Sequence, residues 1–271
     1  MKTFALALGA GGARGLAHIA IVEALDDMEL RPVAIAGASI GAVIGAGYAA
    51  GMSGRAMRRH LLPLAHNRGE VMRRVMGARA AAWSEIFGAA FGNPLVSDPL
   101  KFYDAFVGDL LPADFADLKI PMTVVTTDLH AREPLVFTEG PLRPAVAASM
   151  AVPGLVRPLE FAGRVLVDGG VTDPLPFSCV RGKADLIVAV DVSGDTEERG
   201  GVLDPWNSLM TTISVMSHTI VQHKLKEGAP DLVLRPNIGI FRMLDFMQAS
   251  AILRAADRIK DEVKKELSAL L

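Results

Sequence analysis

The segment Gly37-Ala38-Ser39-Ile40-Gly41 sets a serine between two glycines in the pattern G-x-S-x-G. That spacing suits a nucleophile. The serine sits on a sharp strand-to-helix turn with its hydroxyl clear of the sheet, and the flanking glycines allow the close packing the turn needs. A helix starting just after Ser39 aims its positive end at the hydroxyl and favours negative charge there. A tight structural turn would use the same residues. The second glycine cluster, Gly9-Ala10-Gly11-Gly12-Ala13-Arg14-Gly15, follows an apolar run. Its successive backbone N–H groups suit an oxyanion or a phosphate. As a dinucleotide fingerprint it fails, because Arg14 holds the third glycine position and no acid follows the second apolar run near Ala36. It also lacks the Gly-Lys-Ser/Thr of a Walker A loop.

A serine nucleophile needs a base. The six histidines are His18, His60, His66, His130, His218 and His223. In the chain order nucleophile, acid, histidine, only His218 and His223 follow Asp168. They fall on one predicted helix, five residues and about 140° apart, so they share no face. Neither lies in a loop after a strand. Asp168-Gly169-Gly170, in contrast, follows an apolar run and places a carboxylate on a turn.

The elements that must position these groups read as alternating strands and helices. Residues 3–8 and 33–36 are short apolar strands, and residues 16–28 carry Ile19, Val22 and Leu25 at helical spacing. The small residues up to 50 predict a tightly packed helix after the serine. Further strands are predicted at 122–127, 135–138, 165–167, 186–192 and 232–235, with helices at 145–151 and 211–226. The chain ends on an amphipathic helix within 245–271, with Ile252, Ala256, Ile259, Val263, Leu267 and Leu270 on its apolar stripe. Strand-loop-helix units of this kind predict a three-layer α/β/α domain with a mostly parallel central sheet. With no linker or repeat, residues 1–271 read as a single domain.

Composition excludes several classes. The 271 residues hold 28 Lys+Arg against 30 Asp+Glu, a net charge of −2, which rules out a globally basic nucleic-acid binder. One cysteine, Cys179, leaves no internal disulfide. No His/Cys/Asp cluster has metal-ligand spacing, so neither a metal nor a cofactor is expected. Residues 3–8 open like a signal peptide, but the glycine cluster with Arg14 and His18 does not continue as one, and a cytoplasmic protein is expected.

The three motifs, in this order and spacing, resemble the patatin-like phospholipase family, in particular its short bacterial members. That family pairs a glycine-rich loop G-G-G-x-R/K-G with a G-x-S-x-G elbow and a D-G-G/A motif. The likeness runs over residues 4–191 and includes Ala148-Ser149-Met150-Ala151-Val152-Pro153, a small-residue segment between elbow and aspartate. Ala10 replaces the first loop glycine but keeps its backbone N–H. The resemblance implies a Ser-Asp dyad with no histidine, Ser39 attacking an ester carbonyl and Asp168 acting as base. It maps the oxyanion loop onto Gly11, Gly12 and Ala13, with Arg14 bracing it, the elbow glycines onto Gly37 and Gly41, and the turn after the acid onto Gly169 and Gly170. The implied substrate is a lipid or other acyl ester. A small-ester esterase or thioesterase and a non-catalytic lipid-binding regulatory protein are the competing readings.

Residues 55–79 hold Arg55, Arg58, Arg59, Arg68, Arg73, Arg74 and Arg79 against one acid, Glu70, and Trp83, Ile86, Phe87 and Phe91 follow. A solvated face explains the charges. The functional alternative makes 55–95 a lid or membrane-facing insert that meets anionic lipid as a peripheral contact.

Overall fold

The structure is a computed structural model, and it describes residues 2–66, 98–194 and 204–271. Apolar runs ending in glycine or a turn form the buried strands β1 (Phe4–Leu8), β2 (Ala34–Ala38) and β7 (Leu186–Val190). Every residue of the three is buried, the pattern of strands covered on both faces. The remaining strands are β3 (Met122–Asp128), β4 (Glu133–Phe137), β5 (Leu159–Phe161), β6 (Arg164–Asp168) and β8 (Leu232–Leu234). Among the described residues they make one sheet in the order β5-β6-β3-β2-β1-β7-β8, with β4 also on β3. The β1–β2, β2–β3, β1–β7 and β7–β8 pairs are parallel. The β3–β4, β3–β6 and β5–β6 pairs are antiparallel.

Side-chain alternation divides the interior in two. Phe4, Leu6 and Leu8 of β1, with Ile35 of β2 and Val188 of β7, join the larger core. That core lies under α1 (His18–Asp27), α2 (Ile40–Ala49), α5 (Leu142–Ser149), α7 (Ala249–Ala256) and α8 (Ile259–Leu270). The alternate residues Ala5, Ala7, Ala34 and Ala36 meet Leu175, Phe177 and Val221, the last on α6 (Pro205–Glu227). A sheet with helices on both faces is the expected fold class. Its second face is thin because alanines line it.

Two further α-helices among the described residues are α3 (Gly54–His66) and α4 (Pro99–Phe106). Asp98 caps α4 by accepting the Lys101 N–H, with Pro99 at the first helical position. The hairpin strand β5 has no signal in the sequence pattern. The C-terminal region read as one amphipathic helix is α7 and α8 with a turn at residues 257–258; Ile252, Ala256, Ile259, Val263 and Leu267 of the stripe are buried, and Leu270 at its end is half-buried.

The stretch 55–95 falls mostly on residues 67–97, outside the described residues. Its first part is engaged. Arg58 donates to both carboxylate oxygens of Glu23 at 2.7 Å and to Asp257 at 2.6 Å, while Lys260 reaches Glu23 at 2.5 Å. Arg58 therefore braces α3 against α1 and the turn after α7, and its charge is committed within the protein rather than offered to a lipid surface. Glu23→Ala leaves the half-buried cations of Arg58 and Lys260 to share Asp257 alone. A loss of about 2 kcal/mol in unfolding free energy is expected, measured by denaturant titration.

Candidate active site

The sheet itself brings the two reacting groups together. β4 pairs with β3 over Val124–Asp128 and occupies one edge. The other edge is shared end to end: β2 pairs with Ile35↔Met122 through Ala38↔Val125, and β6 arrives from the opposite direction with Asp168↔Thr126. The C-terminal ends of β2 and β6 thus meet at adjacent residues of β3. Ser39 follows Ala38, and its Oγ donates to Asp168 Oδ2 at 2.5 Å.

Ser39 lies at φ 56°, ψ −126°, a strained conformation for a residue with a side chain. The turn closes so tightly that a Cβ at Gly41 would stand 2.2 Å from the Leu8 carbonyl oxygen. The Ser39 carbonyl accepts from the Ala42 and Val43 N–H groups as α2 begins, and the Ser39 N–H donates to Ser149 Oγ at 2.8 Å.

Asp168 is the last residue of β6, and its Oδ1 accepts the Gly170 N–H at 2.7 Å. Its main-chain carbonyl accepts from Thr127 Oγ1 at 2.9 Å. Burial pushes its carboxyl up from an ordinary 3.8 to about 6, against the opposing hydrogen bonds from Ser39 and Gly170. Gly169 has no room for a side chain, since its Cβ would meet the Val125 carbonyl oxygen at 2.1 Å.

The glycine loop leaves β1 with its first amides already used: Gly9 N–H donates to Val190 O and Ala10 N–H to Pro174 O. Gly12 takes φ 57°, which turns the next amide away, and the Ala13 N–H donates to Met243 O at 2.7 Å. The expectation that Ala13 serves the oxyanion therefore fails, because its donor is committed to residue 243. Among the described residues the Gly11 and Gly12 N–H groups have no acceptor. Arg14 is 1% exposed and ties the loop to α6 through Nη2 to Ser214 Oγ at 2.7 Å. Burial holds its pKa below the usual arginine value, with Asp191 opposing.

Gly11, Gly12, Ser39 and Asp168 line one cleft. Val152, Pro153, Val171, Ile213 and Met243 add apolar lining, and Ser193, Ser214 and Ser217 line it too, their hydroxyls engaged with Asp191, Arg14 and the Gly170 carbonyl. Among the described residues no histidine hydrogen-bonds to Ser39 or Asp168. His18 Nε2 meets Gly9 O at 2.8 Å and burial lowers its pKa to about 4, while His218 Nδ1 lies 3.3 Å from Ser193 Oγ. The sequence reading missed Ser149, Thr127 and Met243 as neighbours of the site. Ser149 had a signal, its place in the small-residue segment.

The model of the patatin-like phospholipase family matches residues 6–179, which hold the glycine loop, Ser39 and Asp168. The chain belongs to this family. It is 38% identical over 191 residues to an uncharacterized NTE family protein of Mycobacterium tuberculosis, covering 70% of this chain and 49% of that one. It is 30% identical to patatin-like phospholipase domain-containing protein 7 of Rattus norvegicus, over 90% of this chain and 19% of the other. The chain thus spans about half of the mycobacterial relative and about a fifth of the rat one. Of solved structures it resembles VipD from Legionella pneumophila, with a TM-score of 0.53 at 14% identity over 98% of this chain and 67% of that one, a likeness of fold. No helix among the described residues is long and apolar enough to cross a membrane.

Proposed function

We propose that this patatin-like protein hydrolyses acyl esters of lipids through an acyl-Ser39 intermediate, with Asp168 as the base. The observation that carries the reading is the 2.5 Å contact between a hydroxyl on a strained elbow and a buried carboxylate of raised pKa. As Ser39 Oγ attacks the ester carbonyl, its proton passes to Asp168. The negative oxygen faces the free amides of Gly11 and Gly12, and Arg14 braces the loop that presents them. Collapse expels the alcohol, which takes the proton from Asp168. Asp168 then takes a proton from water, the hydroxide attacks the acyl group, and Ser39 leaves with the proton returned to it. The apolar residues among the lining, Val152, Pro153, Val171, Ile213 and Met243, suit an acyl chain.

The test is hydrolysis of lysophospholipids and of p-nitrophenyl esters of rising chain length. Rates rising with acyl length support a lipid substrate. A flat profile, with activity on the short esters alone, would replace it with a small-ester esterase.

The pH dependence follows from the base. Asp168 works ionised, so kcat/KM should be constant at neutral pH and fall tenfold per unit below about 6. A pH–rate profile whose acidic limb lies at the ordinary aspartate value near 3.8 would contradict this environment for the base.

A further inference from the structure

Ser149 ends α5, where a serine hydroxyl commonly bonds back to a carbonyl of its own helix. Here it leaves the helix altogether. The Ser149 Oγ–H donates to Val125 O on β3 at 2.7 Å, and the same oxygen accepts the Ser39 N–H at 2.8 Å. The side chain is fully buried. We infer that Ser149 is a positioning residue that holds the Ser39 peptide in its strained conformation and so aims the Ser39 hydroxyl at Asp168. The inference rests on Ser39 being the nucleophile.

The physical case begins with the strain. A non-glycine residue in this region is strained and persists only where its surroundings over-determine it. On its C-terminal side Ser39 is fixed by α2, whose amides take its carbonyl. On its N-terminal side the hydroxyl of Ser149 is what holds the N–H. The anchor point matters as well. Val125 is the β3 residue paired with Ala38, and its neighbour Thr126 pairs with Asp168. One hydroxyl therefore references the nucleophile to Val125, the β3 residue next to the one that pairs with the base. With Ser149 gone, the Ser39 peptide loses its N-terminal restraint and the 2.5 Å contact to Asp168 lengthens. The Ser39 amide, committed to Ser149, is not itself open to an oxyanion.

Ser149→Ala in the full chain is the test, beside Ser149→Thr, which keeps the hydroxyl, and Ser149→Cys, which keeps the volume with a weaker donor and acceptor. On p-nitrophenyl esters Ser149→Ala should lower kcat per folded molecule about 30-fold with KM within twofold of wild type. Ser149→Thr should recover most of the rate, and Ser149→Cys should remain below it. The pKa of the Asp168 carboxyl, followed by carbon NMR, should rise in the Ala and Cys variants because the Ser39 hydrogen bond that lowers it is weakened. A merely structural serine would lower the thermal midpoint while leaving kcat per folded molecule and the Asp168 pKa unchanged, and that result overturns the proposal. If Ser149→Ala does not fold, an unchanged kcat and Asp168 pKa in Ser149→Cys has the same force. Wild-type protein without turnover, yet with an Asp168 pKa that responds to Ser149, would remove the hydrolase reading and leave the positioning intact.

Discussion

Ser39→Ala is expected to lower kcat for ester hydrolysis by roughly 10⁴-fold or more, because the acyl group loses the hydroxyl proposed to receive it. The effect should fall on chemistry and not on folding. Alanine fits the space of serine, and the amide that anchors residue 39 to Ser149 is unchanged. The lost hydroxyl removes one of the two hydrogen bonds that pull the Asp168 pKa down, so that carboxyl should titrate still higher in the variant. Steady-state rates alongside circular dichroism check both parts. A folded Ser39→Ala protein that retains wild-type turnover would locate the chemistry elsewhere.

Asp168→Asn should cost about 10⁴-fold in kcat by a different route. The asparagine oxygen can still accept the Gly170 N–H, and its amide can face Ser39, so the geometry survives while the base is lost. Stability should move the other way. A carboxyl pushed from 3.8 to about 6 by burial is held ionised at neutral pH at an expense of about 3 kcal/mol. The sign follows from proton binding. Between those two pH values the folded protein holds more protons than the unfolded chain, so Asp168 favours folding at low pH and that contribution is lost as pH rises through about 6. Asp168→Asn should accordingly unfold a few degrees above wild type at pH 8, with the gap closing towards pH 4. Thermal scans at the two pH values measure it, and equal midpoints throughout would show that the carboxyl is not strained by burial. By contrast, His218→Ala and His223→Ala should leave kcat within a few-fold of wild type, since neither imidazole hydrogen-bonds to Ser39 or Asp168.

Much of this arrangement can be read from short segments. G-x-S-x-G between an apolar run and a small-residue helix has few other structural solutions, and Gly41 against the Leu8 carbonyl explains why. Asp168-Gly169-Gly170 is legible for a similar reason, with Gly169 pressed on Val125. The direction of β6 is not legible. Its residues Arg164–Asp168 would suit either direction, yet only the antiparallel one brings its end to the end of β2. Ala13 was misassigned because nothing near it in the sequence announces that Met243, from a loop 230 residues away, takes its amide. Arg58 looked like one of a row of surface charges. Its partner Glu23 sits on a helix whose pattern marks it as polar, and only the packing of α3 and α8 against α1 buries it. Ser149 stood in a recognisable segment, but a hydroxyl that joins residues 39 and 125 has no local signature.

Intact-mass analysis after reaction with a fluorophosphonate tests the central claim most directly, with wild type, Ser39→Ala and Asp168→Asn side by side. The account predicts one adduct on wild type, mapped to Ser39, none on Ser39→Ala, and labelling slowed by orders of magnitude on Asp168→Asn. An adduct that persists in folded Ser39→Ala, or wild type that stays unlabelled with and without lipid vesicles, would contradict it.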